Sequence, residues 1–252
     1  MSVYSVAELR EAWRAVEDGL DAPGAGRRTL AAASSSKQWV PSLAERVVAV
    51  VGCAGGVGAS TVAVALATAT GVPARVVECC PSLGSGFAAA ANAELGVDGG
   101  WRRGSRGLVL LERRTGVGRV LPVPASSLVE WTILDADWTA LITSGVPWLS
   151  PLLRTLDQVV LVTNATVPGV RRLESCADHL EGDVLGVIVG PPAKRWPRPV
   201  KVAAVGLPSR MRLVDFPLDR RLQVTGLTPD PLPAPLINAA QHVLALVRKE
   251  PT

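Results

Sequence analysis

Residues 47–67, VVAVVGCAGGVGASTVAVALA, contain three successive patterns that together decide the fold. The first is an uninterrupted apolar run, which is typical of a strand buried on both faces of a sheet. Gly55, Gly56 and Gly58 follow, and a run of small and apolar residues from Ala59 predicts a helix. Small residues at a helix N-terminus let backbone N–H groups converge on an anion. The stretch therefore predicts a strand, a loop and a helix that bind phosphate.

This predicted phosphate loop lacks a cation, because no lysine or arginine occurs between Arg46 and Arg75. Such a loop usually supplies a lysine to the phosphates and, at the next position, a hydroxyl group to Mg²⁺. Ser60 supplies that hydroxyl here, but the residue before it is Ala59. Each lost charge-assisted hydrogen bond weakens binding by about 1.5–3 kcal/mol. The sequence thus predicts the shape of a phosphate site without its charge.

The rest of the chain alternates apolar runs with helical patterns, which indicates an α/β fold with a mainly parallel central sheet flanked by helices. Shorter strand patterns are GLVLLER, RVLPV and MRLVDFP, and a closing helix is predicted from residue 234. Five longer runs should be neighbouring strands, with the glycine loop at their carboxyl ends. They span residues 47–51, 76–79, 132–135, 159–162 and 185–189.

The N-terminal part of the chain has a different composition. The segment SVAELREAWRAVEDGL begins with a capping box, Ser5 and Glu8, and predicts a helix. An Ala-, Gly- and Ser-rich stretch follows it and is typical of a linker. We therefore predict a helix and linker over residues 1–45 and an α/β domain over residues 46–252. The helix packs on its own domain or docks a protein partner, and the sequence leaves both open.

Composition restricts the cellular setting. Four cysteines have neither zinc-site nor secreted-disulfide spacing, which indicates a reduced, cytoplasmic environment. The charged N-terminal segment lacks the apolar core of a signal peptide. The long uncharged run after Arg46 is interrupted by glycines, and the last helix has one apolar face suited to covering a sheet. Membrane attachment is therefore disfavoured.

The net charge of +4 is unevenly distributed. Six cations occur in one stretch without an acidic residue among them: Lys194, Arg195, Arg198, Lys201, Arg210 and Arg212. They form a candidate site for non-specific DNA, and a solvated surface is the alternative. Aromatic residues make up only 4% of the chain, which leaves little for stacking on bases.

The glycine loop resembles that of the ParA/MinD family of deviant-Walker ATPases, which reads K-G-G-x-G-K-[ST]-T. Four further segments match the family in order and spacing: VVECCPSLGSG, TILDAD, DQVVLVTNATVPGVRRLE and FPLDRRLQVTGLTPDPLP. The resemblance covers residues 46–249 and implies a P-loop NTPase-like fold and a homodimer. Some actinobacterial members, similar to CpaE/TadZ and septum-site-determining proteins, also read G-G-x-G-A-S-T.

The resemblance implies a set of nucleotide-binding positions, with Ser60 and Asp135 as Mg²⁺ ligands if Mg-nucleotide binds. These positions are Gly55, Gly56, Val57, Gly58, Ala59, Ser60, Thr61 and Asp135. This chain departs from the family pattern at four places. Both family lysines are alanine, a carboxylate on the second strand is cysteine, and the asparagine that reads adenine is glycine. The residues concerned are Ala54, Ala59, Cys80 and Gly190.

We interpret the chain as a catalytically degenerate ParA/MinD-like protein, a dimerising scaffold for partition, DNA transfer, pilus assembly or division. It then requires no cofactor, and ATP or ADP with Mg²⁺ is an optional ligand. One alternative is a weak ATPase in which Arg102 or Arg103 folds over the site and replaces a lysine. Another is a non-specific DNA-binding module.

Overall fold

The computed structural model describes residues 39–80, 86–115, 121–142 and 148–247. Within these residues, nine strands form one sheet. They are β1 (Arg46–Gly52), β2 (Ala74–Glu78), β3 (Ala93–Asp98), β4 (Trp101–Arg106), β5 (Val109–Arg114), β6 (Trp131–Asp137), β7 (Gln158–Asn164), β8 (Asp183–Gly190) and β9 (Arg212–Pro217). Their order is β3-β4-β5-β2-β6-β1-β7-β8-β9. Only the β3–β4 and β4–β5 pairs are antiparallel.

Seven α-helices lie in the same part of the chain. They are α1 (Ala59–Ala69), α2 (Thr139–Ile142), α3 (Leu149–Thr155), α4 (Val167–Ala177), α5 (Arg198–Ala203), α6 (Arg220–Thr225) and α7 (Ala234–Val247). No helix among them is long and apolar enough to cross a membrane.

The sheet separates two apolar clusters, because successive side chains of a strand point to opposite faces. On β1, Val48 and Val50 pack with α1 and α7, whereas Ala49 and Val51 pack with α3 and α4. All four side chains are essentially inaccessible to solvent. The fully buried central strand explains why the sequence shows a continuous apolar run instead of an alternating one.

The five long apolar runs form neighbouring parallel strands, in the order β2-β6-β1-β7-β8, as predicted. The patterns GLVLLER and MRLVDFP correspond to β5 and β9. The strand predicted at RVLPV is wrong for its described part, residues 121–123, which pair with no strand. Pro122 has no N–H to donate. The carbonyl groups of Leu121 and Val123 instead accept the indole N–H groups of Trp148 and Trp101, at 3.2 and 3.4 Å.

The β3–β4 hairpin was not predicted from the sequence. Every residue of β3 is exposed, and β4 carries three arginines, so neither strand shows an apolar alternation. The local signal was the turn: Gly99 and Gly100 have φ of 56° and 86°, which favours glycine. A Cβ atom on Gly100 would also lie 2.9 Å from the ring of Pro122.

A buried ion-pair network joins the start of the domain to the sheet. Arg75 on β2 is 1% exposed, and its guanidinium pairs with Glu45 at 2.8 Å and with Glu112 at 3.3 Å. The same guanidinium donates to the Thr132 hydroxyl at 2.7 Å and lies 5.4 Å from the ring centroid of Trp39. The network satisfies the buried charge of Arg75 on several sides.

Residues 39–45 therefore belong to the folded body, although their composition placed them in the linker. Trp39 is buried and meets the ring of Trp148 edge-on at 5.7 Å, and Glu45 is buried against Arg75. Residues 1–38, which include the predicted N-terminal helix and most of the linker, lie outside the described residues.

We expect Glu45→Gln to lower the free energy of unfolding by about 3 kcal/mol, because it leaves the buried Arg75 with Glu112 as its one carboxylate partner. Denaturant titration at neutral pH measures the change. Arg221→Ala is the matched control: it breaks the exposed Arg221–Asp230 pair and should cost about 1 kcal/mol or less. Equal losses in the two variants would contradict a stabilising role for the buried network.

Candidate functional site

The glycine loop lies between β1 and α1, at the carboxyl end of the sheet. Gly56 and Gly58 have φ of 72° and 91°, a region that L-residues rarely adopt. Gly58 caps α1 and has no side chain with which to occupy the N–H groups of the first turn. These N–H groups are available to an anion. The predicted backbone cradle is therefore present.

The loop forms one wall of a cavity of about 530 Å³. The end of β6 forms a second wall, and the chain from the end of β9 through α6 forms a third. This volume lies within the range of pockets that hold small-molecule ligands. Among the predicted nucleotide-binding positions, the seven loop residues 55–61 and Asp135 all line the cavity.

Ser60 and Asp135 are joined inside the cavity. The Ser60 hydroxyl donates to Oδ2 of Asp135 at 2.7 Å. The other carboxylate oxygen, Oδ1, is buried and accepts no hydrogen bond from any residue that the structure describes. A Cβ atom on Gly86 would lie 2.6 Å from Cβ of Ser60, so only glycine lets the chain approach here. The hydroxyl and carboxylate expected for Mg²⁺ are thus adjacent, with one oxygen unused.

Burial raises the pKa of Asp135 from 3.8 to about 7. The hydrogen bond from Ser60 opposes this shift, and the nearby carboxylates of Glu78 and Asp137 add to it. A buried carboxylate without a cation favours the neutral form.

The residues of charged type that line the cavity are all acidic. Asp135, Asp137 and Asp219 line it, and no lysine or arginine of the described chain does so. Two of these acids also have local roles: Asp137 accepts from the Thr139 N–H, and Asp219 caps α6 by accepting from the Leu222 N–H, both at 2.9 Å.

The two alanines that stand where the family pattern has lysine contribute to the packing of the loop. Ala54 and Ala59 are partly buried and pack against the apolar cluster beneath α1. The residues present therefore suit the Mg²⁺ ligands and the backbone cradle, but they do not neutralise a triphosphate.

The cysteine that replaces a family carboxylate lies beside Asp135. Cys80 lines the cavity, and its thiol donates to the backbone carbonyl of Asp135 at 3.4 Å. Burial and the neighbouring carboxylates raise the pKa of this thiol well above its ordinary value. Cys80 is therefore a neutral donor, whereas a carboxylate at this position would accept hydrogen bonds from water.

The resemblance implies an asparagine for adenine at the end of β8, where this chain has Gly190. Gly190 ends β8 and does not line the cavity, whereas its neighbour Val189 does. A Cβ atom on Gly190 would lie 2.9 Å from Cβ of Ala165, so the local packing leaves no room for a side chain.

The arginines proposed as substitutes for the lysines lie on β4 instead of a loop. Arg103 pairs with Asp98 at 2.9 Å and with Glu112 at 3.0 Å. Arg102 is exposed on the same strand, and neither residue lines the cavity. Because both are held in the sheet, they do not fold over the glycine loop.

The predicted basic cluster divides into two parts. Arg210 pairs with Glu174 and Asp178, and Arg212 lies 3.9 Å from Asp183. The other four cations are exposed and form no ion pair within the described ranges: Lys194, Arg195, Arg198 and Lys201. Trp196 between them is buried, and its indole donates to the Pro191 carbonyl at 2.9 Å, so it packs locally.

The raised pKa of Asp135 predicts a stability that falls with increasing pH. The folded chain keeps the proton up to about pH 7, whereas the unfolded chain loses it near 3.8. The folded state therefore binds more protons between these values, and unfolding becomes easier as the pH rises through this window. The full cost, reached above pH 7, is roughly 4 kcal/mol.

Asp135→Asn should remove this dependence. Denaturant titrations across the window, without nucleotide or Mg²⁺, should show the variant gaining stability relative to the unmodified chain as the pH rises. Asp230→Asn, at an exposed carboxylate paired with Arg221, serves as the control and should leave the slope unchanged. Parallel profiles for Asp135→Asn and the unmodified chain would show that Asp135 is ionised throughout.

No protein-family model matches the sequence, and no curated protein matches it significantly. Solved structures do match. A protein of Borrelia burgdorferi B31 assigned to plasmid partition, in a structure with AMPPNP, aligns with a TM-score of 0.54 and 14% identity over 81% of this chain and 98% of its own. The MinD cell division protein of Aquifex aeolicus aligns with a TM-score of 0.51 and 16% identity over 82% and 99%. At such identities the likeness concerns the fold alone, and the chain has the fold of the ParA/MinD-type P-loop ATPases.

Proposed function

We propose that this protein acts by binding and not by ATP hydrolysis, as a catalytically degenerate ParA/MinD-like scaffold that dimerises in a partition, transfer or positioning process. The observation that carries the proposal is the charge of the cavity. Three carboxylates line it, and none of the described residues adds a cation. The fold supports the general class, because two proteins that share it are assigned to plasmid partition and cell division.

The missing lysines affect binding and turnover to different extents. Two charge-assisted hydrogen bonds of about 1.5–3 kcal/mol each correspond to roughly 10²–10⁴-fold weaker ATP binding. Turnover suffers more, because cations stabilise the transferring phosphoryl group most in the transition state. If Mg-nucleotide binds, Ser60 and Asp135 are the residues that hold the metal, which would offset part of the phosphate charge.

The surface beside the cavity supports association with a second copy of the chain. Four large apolar side chains are exposed on the segments that form the cavity walls or on the helix that directly follows a wall segment. They are Trp138, Ile142, Leu218 and Val224, with exposed fractions of 41, 52, 49 and 86%. Exposed apolar groups of this size, when clustered, are typical of protein–protein contacts.

We expect negligible ATP hydrolysis by the unmodified chain. Ala54→Lys with Ala59→Lys should tighten ATP binding by roughly 10²–10⁴-fold but give little turnover. Cys80→Asp should be needed in addition, because charge stabilisation and water positioning act as a unit. Phosphate release and nucleotide affinity, measured on the same samples, separate the two effects.

Asp135→Ala in the unmodified chain is the control for contaminating activity. Steady Mg²⁺-dependent phosphate release that this substitution abolishes would overturn the proposal and show that the loop obtains a cation elsewhere.

DNA binding is a second candidate function, and the four unpaired cations of the basic cluster favour it. Alanine at Lys194, Arg195, Arg198 or Lys201 should weaken DNA binding to a similar extent for every sequence. Each substitution should also reduce the slope of log affinity against log salt by about 1. Fluorescence anisotropy with unrelated duplexes at several salt concentrations measures both effects.

Arg210→Ala and Arg212→Ala are the matched controls, because acidic partners already neutralise these two arginines. They should change the salt slope less. No binding at low salt would leave the cluster as solvated surface.

A further inference from the structure

A second cavity, also of about 530 Å³, lies on the other side of the glycine loop. Cys53, the first residue of the loop, lines it together with Cys176 from α4. Cys53 belongs to the apolar cluster on this face of the sheet and is 3% exposed, and Cys176 packs against the same cluster and is half-buried. The two thiols thus face one cavity, and each shifts the pKa of the other.

The two sulfur atoms have different surroundings. The neighbouring Cys176 and burial both raise the pKa of Cys53, whereas the neighbouring Cys53 lowers the pKa of Cys176. Arg172 and His179 lie on the same wall of the cavity as Cys176, and both are exposed. A partly exposed thiol with a lowered pKa, open to solvent through a cavity that an arginine also lines, is the usual setting of a reactive cysteine. Cys53 is shielded behind it.

Metal binding does not account for this thiol pair. The described part of the chain contains no group of three histidine, cysteine or acidic residues placed to hold a metal ion. Cys79 and Cys80 are adjacent in sequence, but both are buried, and burial and nearby carboxylates raise the pKa of each. The shared cavity thus distinguishes Cys53 and Cys176 from Cys79 and Cys80, which are neighbours only in sequence.

We propose that Cys53 and Cys176 form a peroxide-sensitive thiol pair that closes into a disulfide between the glycine loop and α4. The Cys176 sulfur attacks a hydroperoxide: an S–O bond forms, the O–O bond breaks, and water or an alcohol leaves. The Cys53 sulfur then attacks the sulfenic acid: an S–S bond forms, the S–O bond breaks, and water leaves with the Cys53 proton. Two thiols are oxidised and one peroxide is reduced.

The disulfide would tie the loop to a helix packed on the opposite face of the sheet from α1. It therefore links the shape of the phosphate cradle to the oxidation state of the cell, and cellular thiols reverse it by exchange. This proposal stands apart from the proposed function, since it holds whether or not the first cavity binds nucleotide.

The test is mild hydrogen peroxide treatment of the folded full-length chain, followed by alkylation, digestion and mass spectrometry. The expected product is a linked peptide pair that contains Cys53 and Cys176. Cys79 and Cys80 in the same sample are internal controls and should oxidise at least about tenfold more slowly, since thiolate fraction falls tenfold per pKa unit. Amide hydrogen exchange over residues 53–58 should slow in the oxidised form.

Variants assign the order of the two steps. Cys53→Ser should leave Cys176 as a sulfenic acid that dimedone traps, whereas Cys176→Ser should abolish both the trap and the linked peptide. Cys176 is only half-buried, so the Cys176→Ser variant keeps the test valid if replacement of the buried Cys53 prevents folding. Equal oxidation of all four cysteines, or a linkage that includes Cys79 or Cys80, would overturn the proposal.

Discussion

Parallel hydrogen bonding of β1 between β6 and β7 is the constraint on which both cavities depend. The register places Val50 beside Asp135 and Gly52 beside Asp137, so the glycine loop starts where the acids of β6 end. Backbone hydrogen bonds extend this pairing past the strands: the Cys53 N–H donates to the Val162 carbonyl and the Trp138 N–H to the Gly52 carbonyl, at 2.9 and 3.0 Å. A shift of this register would separate Ser60 from Asp135.

The β3–β4 hairpin supports one wall of the first cavity through hydrogen bonds to the segment after α6. Arg106 on β4 is buried, and its guanidinium donates to the carbonyl groups of Ala90, Thr228 and Asp230. Asn92 donates to the Pro229 carbonyl at 3.0 Å. These bonds fix the segment after α6, whose first residues, Gly226 and Leu227, line the cavity. The guanidinium of Arg106 is therefore used to hold backbone.

Other arginines of this fold also bind groups of the chain itself. Arg75, Arg103, Arg210 and Arg212 all pair with carboxylates of the chain itself. Asp135, by contrast, has Ser60 as a partner but no cation, and its pKa rises to about 7. Among the described residues, positive charge is thus absent from the cavity lining and present in the scaffold, whereas phosphoryl transfer needs cations at the reacting phosphate.

The sequence by itself determined the sheet, the loop and the missing cations, because these depend on local pattern: apolar runs, closely spaced glycines, and alanine at two positions. The resemblance of its motifs to the ParA/MinD family also placed Ser60 and Asp135 in one site. The sequence did not predict the hairpin, whose strands lack apolar alternation, or the pairing of Arg210 and Arg212 with acids on and after α4. It also did not bring Cys53 and Cys176 together. Such contacts join residues far apart in the chain, and only the packing of α4 against the sheet decides which thiol or carboxylate each side chain meets.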